Sequence, residues 1–276
     1  MYYKKTFLLI VAVALLSMTA CNKPADQQSK QSETTVSDTV KTETSVKPTA
    51  NNNEQILAKK QIPILCYHRI KNGTKGDYTI SETTFGEHVQ VLADSGYHSI
   101  SPDQLYDYLV YNKSLPDKPF MITFDDSREE HYTIAGPVLE KHGFHGVFFI
   151  MTITYNKKNY MTTEQIAAMA KAGHTIGLHS WDHTMAIKYK DSVDWKKEVT
   201  DPQEKLSGIT GQPVDYWAYP NGVTNREASA ELSKHFKLSF ILSTKRDSIY
   251  PLQTVRRIIV PDISGQTLLR SMRKSF

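Results

Sequence analysis

From about residue 60 onward, short apolar runs alternate with longer stretches in which apolar residues recur every three or four positions. The runs at Ile62 to Tyr67, His98 to Ile100, Phe120 to Phe124, Gly146 to Met151, His174 to Leu178, Tyr216 to Tyr219, Leu238 to Leu242 and Arg257 to Val260 are rich in β-branched and aromatic residues, and they predict strands. Between them, the spacing near Thr84 to Asp94, Pro102 to Tyr111, Ser127 to His142, Thr163 to Lys171, Asp194 to Ile209, Asn225 to His235 and Gln266 to Arg273 predicts helices. Ser101 before Pro102 and Thr163 before Glu164 supply start signals for two of these. Repeated strand and helix units imply a parallel sheet covered by helices. Seven to eight parallel strands in some 220 residues fit a distorted or incomplete (β/α) barrel, an α/β fold, better than an open sheet. In such barrels chemistry sits where strands end and loops begin.

The pattern before residue 57 is different. Lys4 and Lys5 precede an apolar run from Phe7 to Leu16, and Ser17, Thr19 and Ala20 lead into Cys21. A basic head, an apolar body too short to span a bilayer and small residues before a processing point describe a secretory signal over residues 1–20. The cysteine after Thr19-Ala20 resembles the lipobox of bacterial lipoproteins. Cys21 would then carry a lipid that anchors an exported chain to a bacterial membrane in the cell envelope. Residues 21–56 are dominated by Ser, Thr, Asn, Gln, Lys and Glu and lack aromatics, so they cannot bury enough surface to offset ordering and are expected to form a flexible tether. Such a tether would reach an r.m.s. distance of roughly 30 Å. Residues 57–276 form the expected catalytic domain.

Composition narrows the partners. Without Lys4 and Lys5 the chain carries 31 basic residues against 29 acidic ones, which gives no reason to expect nucleic acid. Beyond Cys21 only Cys66 remains, so an intrachain disulfide is excluded and the core alone must stabilise the domain.

The third expected strand ends FMITFDDS, setting Asp125 and Asp126 side by side at its carboxyl end. Neighbours on a strand point to opposite sides, so one carboxylate can hold a cation while the other faces a substrate. The competing explanation is that Asp126 or Ser127 caps the next helix, with Glu129 or Glu130 completing the box. The fifth strand ends HTIGLHSWDHT, where His179 and His183 stand four apart and would share one side of a helical turn. Two imidazoles and one carboxylate leave coordination positions open, as in hydrolytic sites whose metal acidifies a water.

TFDD followed by HSWDH resembles the first two motifs of the polysaccharide deacetylase family, the NodB-homology carbohydrate esterases, over about residues 62 to 260. The resemblance implies that Asp125 is the general base and that Asp126, His179 and His183 hold a divalent metal, zinc first, with cobalt or nickel as alternatives. The family's third motif, an aromatic-flanked Arg-Pro-Pro-Tyr-Gly loop, here reads WAYPNG, with Ala218 in place of the arginine that orients the base and Asn221 in place of tyrosine. That variant resembles the poly-β-1,6-N-acetylglucosamine deacetylase branch. The backbone N–H of Asn221 is a candidate oxyanion donor. Trp217, Tyr219 and Trp181 are candidate sugar contacts, although aromatics on a strand are more often core. Ser127 replaces the family's usual glycine and is expected to cap a helix.

The family's late Leu-x-x-His, whose histidine protonates the leaving amine, is missing, since no histidine follows His235. CYHRI resembles the opening motif of the circularly permuted subgroup, which makes His68 the candidate acid; a hydrogen-bonded core histidine is the alternative. The expected function is metal-dependent removal of N-acetyl groups from an N-acetylglucosamine polysaccharide. O-deacetylation of an acetylxylan-type glycan, or glycan binding without catalysis, are its rivals.

Overall fold

The structure is a computed structural model and describes residues 49–74 and 76–276. The expected signal peptide, Cys21 and the tether up to residue 48 lie outside the described residues. Eight strands form one parallel sheet: β1 (Ile64–Tyr67), β2 (Pro119–Phe124), β3 (Val147–Ile150), β4 (Thr175–Leu178), β5 (Tyr216–Ala218), β6 (Leu238–Ile241), β7 (Val255–Arg256) and β8 (Ile258–Ile259). Their order is β7-β6-β5-β4-β3-β2-β1-β8. Its two ends are consecutive in sequence, separated by Arg257 alone. The stretch from Val255 pairs first with β6, in the register Val255 to Phe240. It then passes to β1, in the register Leu65 to Ile258 and Cys66 to Ile259. One bipartite final strand thus brings the sheet back to its own beginning, as the nearly closed, distorted barrel expected from the sequence. The run at His98–Ser99 pairs only with the start of β2, outside that ring.

Alternation along the strands sorts side chains into two layers. Ile64, Met121, Val147, Phe149, Tyr216, Ala218, Leu238, Phe240 and Val255 form the inner cluster, which continues onto Leu105 and Leu109 of the helix Pro102–Tyr111. Leu65, Ile122, Phe124, Phe148, Ile150, Leu178 and Trp217 face the outer helices and meet Phe85, Leu139, Ile166, Leu206, Leu232 and Leu268. At least one helix starts as its sequence suggests: Ser101 caps Pro102–Tyr111 in a capping box with Gln104. The helix Thr163–Lys171 is capped one residue earlier than expected, by Thr162 with Gln165.

The boundary at residue 56 requires correction. Asn52 and Gln55 form a capping box for a helix over Asn53–Ala58, Ile56 is buried against the inner cluster, and Asn51 bonds the Leu109 and Val110 carbonyls. One apolar side chain and one capping box fold these residues onto the domain despite their polar composition.

Candidate active site

At the carboxyl rim, β1, β2 and β4 run out into the polar residues His68, Asp125 and His179. The sequence-predicted Asp125 is buried. Arg257, at the junction of β7 and β8, grips it with two parallel bonds, Nη1 to Oδ1 at 2.7 Å and Nη2 to Oδ2 at 2.8 Å. Nη1 also donates to Thr123 Oγ1 at 3.1 Å, and Cys66 Sγ donates to Asp125 Oδ2 at 3.5 Å. Burial alone would raise the Asp125 carboxyl, but the Arg257 guanidinium, helped by His179, outweighs it and holds the group well below the usual carboxylate range. Burial also keeps Cys66 a thiol by pushing its titration upward.

Asp126, His179 and His183 come together as the motif spacing predicted. Nε2 of His179 and Nε2 of His183 each lie 3.7 Å from Asp126 Oδ1. His179 Nδ1 donates to the Ala218 carbonyl at 2.7 Å, which leaves Nε2 as its free ligating atom, the tautomer control common in metal-binding histidines. Burial pushes the His179 imidazole down, against the opposing pull of Asp125 and Asp126, favouring the neutral form a ligand needs. One ligand atom from each of these three residues lies within 4.8 Å of the others, a donor set and spacing that fit one divalent cation.

The local backbone differs from the helical turn expected around His179. Ser180 (φ 66°) and His183 (φ 73°) are left-handed, as are Asp126 (φ 77°), Ser127 (φ 57°) and Asn221 (φ 58°). Such conformations cost non-glycine residues energy and persist where surroundings over-determine them. The surroundings here are specific. Ser180 Oγ accepts from His183 N at 2.8 Å, and the buried Glu198 accepts from the Trp181 and Asp182 amides. Ser127 does not cap a helix: its Oγ accepts from Met151 N at 2.7 Å, tying the end of β2 to the end of β3. The following helix begins at Glu129, and the Glu129 and His131 amides bond the Asn159 and Arg128 carbonyls rather than the Asp126 side chain, so the capping explanation for Asp126 does not hold.

His68 directly follows β1. Its Nε2 lies 4.0 Å from Asp125 Oδ2, its Nδ1 lies 3.9 Å from Cys66 Sγ, and its side chain keeps a 13% exposed edge. It is therefore a rim residue rather than a sealed core histidine. His131 is fully buried and donates through Nε2 to the His68 carbonyl at 2.5 Å.

The third loop corrects part of the expected substrate contacts. Trp217 and Tyr219 are buried in the outer layer, Trp217 against Phe236 and Tyr219 with its hydroxyl on Ser229, so neither side chain can flank a sugar. Position 217 alternates outward from Ala218, and Tyr219, two residues on from Trp217, points to the same side. Asn221 is exposed and borders a cavity of about 630 Å³ with Thr224, Arg226 and Arg246. Trp181 remains partly exposed between the two histidines, its ring 4.2 Å from Lys197 Nζ.

Residues 112–237 match the family model described as polysaccharide deacetylase. Over that stretch the chain resembles a polysaccharide deacetylase domain. The chain is 29% identical over 210 residues to the Bacillus subtilis protein YxkH, described as a putative polysaccharide deacetylase, with 74% of each chain covered. It is 22% identical to the poly-β-1,6-N-acetyl-D-glucosamine N-deacetylase of Staphylococcus epidermidis over 77% of this chain and 79% of that one. Its fold matches the Streptococcus pyogenes deacetylase PplD, solved in complex with acetate, with a TM-score of 0.72 and 25% identity over 77% of this chain and 98% of that one. The domain departs from the sequence expectation chiefly at Arg257. No motif announced it; the available signal was a pair of arginines inside the β-branched run TVRRIIV.

Proposed function

We propose that this protein is a polysaccharide deacetylase that removes N-acetyl groups from an N-acetylglucosamine-containing polysaccharide, giving acetate and free amines. The reading rests on one observation: Asp125, Asp126, His179, His183 and His68 meet on a single rim although they come from three separate strand ends. Asp126, His179 and His183 would hold a divalent cation, zinc as first candidate with cobalt or nickel behind it, which when bound supplies the Lewis acidity that polarises an acyl oxygen and makes water a nucleophile. Asp125, kept ionised by its buried cation, accepts the proton of the attacking water. As the C–N bond breaks, His68 delivers a proton to the departing nitrogen, so the amine leaves neutral. The N–H of Asn221 is the donor assigned to the oxyanion, and Trp181 the aromatic surface for a neighbouring sugar. The name of the staphylococcal relative supports an N-acetylglucosamine polymer, and the acetate held by PplD is the product this chemistry would release.

Acetate release should be measured on β-1,6- and β-1,4-linked N-acetylglucosamine oligomers, peptidoglycan and acetylxylan, with and without chelator. N-acetyl substrates should be turned over only without chelator. Asp125→Asn and His68→Ala should each lose at least about 100-fold while metal content persists, and full activity in either would remove that residue's role. We further propose, from the lipobox-like segment, that the enzyme is exported and membrane-anchored through Cys21; labelled fatty acid should enter the wild-type chain and not Cys21→Ala.

A further inference from the structure

Ala218 stands where the family resemblance expects the arginine that orients the base, and its small side chain cannot do that work. The inner layer explains how the barrel manages without it. Arg257 enters from the seam between β7 and β8, two strands along the ring from β2, with its side chain wholly buried. Both Nη atoms meet both Asp125 oxygens, and Nη1 also meets Thr123 Oγ1 one inward position below Asp125 on β2. The guanidinium sits 5.3 Å from the Phe149 ring. Phe149 in turn fills the barrel so fully that a Cβ on Gly177 would come within 2.6 Å of its ring.

We infer that Arg257 is the residue that positions Asp125 for catalysis, a role transferred from the third-motif strand to the barrel-closing strand. A bidentate pair fixes both rotation and tilt of a carboxylate, which a single donor cannot. The arrangement also explains why Arg257 lies at the one position where the final strand changes partner. Its amide bonds the Ile241 carbonyl on β6, while the next residues pair with β1. Closing the sheet and seating the base are therefore done by one residue. Cys66, donating to Asp125, and Thr123, accepting from Arg257, complete the seat as neutral partners of the ion pair.

This inference rests on Asp125 being the base, so the test separates the two. Wild type, Arg257→Lys, Arg257→Ala and Asp125→Asn would be compared for kcat, KM and bound metal, with guanidinium added back to Arg257→Ala. The expected result is a fall in kcat of about 100-fold for Arg257→Lys and Arg257→Ala, the scale of losing alignment at a reacting centre. KM should stay within about 2-fold, metal content unchanged, and guanidinium should restore at least about 10-fold to Arg257→Ala alone. The double variant Arg257→Lys with Asp125→Asn should be no worse than Asp125→Asn. Unchanged kcat in Arg257→Lys, or losses that simply multiply in the double variant, would overturn the positioning role while leaving the base intact. Failure of Arg257→Lys to fold would overturn it too, since lysine keeps a cation at the wall and such a result assigns Arg257 to the fold. Full activity in Asp125→Asn would instead remove the base itself.

Discussion

Two buried ionisable groups around Asp125 behave in opposite ways, and the difference lies in their partners. Asp125 stays charged because Arg257 is buried with it, whereas burial of His131 outweighs its bond to the His68 carbonyl and the pull of Glu130 and Asp126 and pushes it down to about 4. An unfolded His131 takes a proton near 6.5, and the folded one resists until about 4. Between those values the unfolded chain binds more protons, so stability is complete above pH 6.5 and declines as pH falls, by up to roughly 3 kcal/mol from this residue. Urea unfolding between pH 7 and 4 should show that slope, and His131→Gln should remove its share. Asp125, Asp126, His179 and His183 were legible because their motif spacing encodes their chemistry. Arg257 was not, since adjacent arginines on a strand face opposite sides. Arg256 turns to the Ser275 carbonyl and the Phe276 ring while Arg257 turns inward. Only the ring order of the strands reveals which carboxylate the inward one meets.

Strands and their junctions carry most of what the hydrophobic pattern could convey, and the loops carry most of what it could not. All eight expected runs contain observed strand residues, because burial on both faces leaves β-branched and aromatic signatures in the sequence. The loop after β4 was expected to be helical from the four-residue spacing of its histidines. Instead the left-handed Ser180 and His183 bring the imidazoles to 4.9 Å between ring centroids. Left-handed serine and histidine have no propensity signature. They are held by the bond from His183 N to Ser180 Oγ and by Glu198, distant in sequence, on the two amides between them. Within β4 the tolerance is small. Gly177→Ala would drive a Cβ into Phe149 and to 3.0 Å from the Tyr216 carbonyl, two residues before His179. Overpacking of this kind should cost about 1–3 kcal/mol in urea unfolding and lower metal occupancy, and Phe149→Leu in the same chain should recover part of both.

The folded unit as a whole begins earlier than its composition suggests. The helix Asn53–Ala58 is held by its capping box, by Ile56 in the inner cluster and by Asn53 on the Ile249 carbonyl. A chain beginning at residue 57 should therefore melt several degrees below one beginning at residue 47, and Ile56→Ala should reproduce roughly 2 kcal/mol of that loss. A polar stretch with a single apolar residue reads as linker until its partners are known, which is why this edge escaped the sequence.

The pairing of β1 with β8 has a consequence for how the molecule is made. A ribosome releases the aspartate and histidine loops well before the strand that shuts the ring. A chain ending before Val255 would keep Asp126, His179 and His183 but lose Arg257, the clamp on the carboxylate beside them. The last strand therefore carries both the seam that returns the sheet to β1 and the guanidinium that seats Asp125, so its loss would undo both at once.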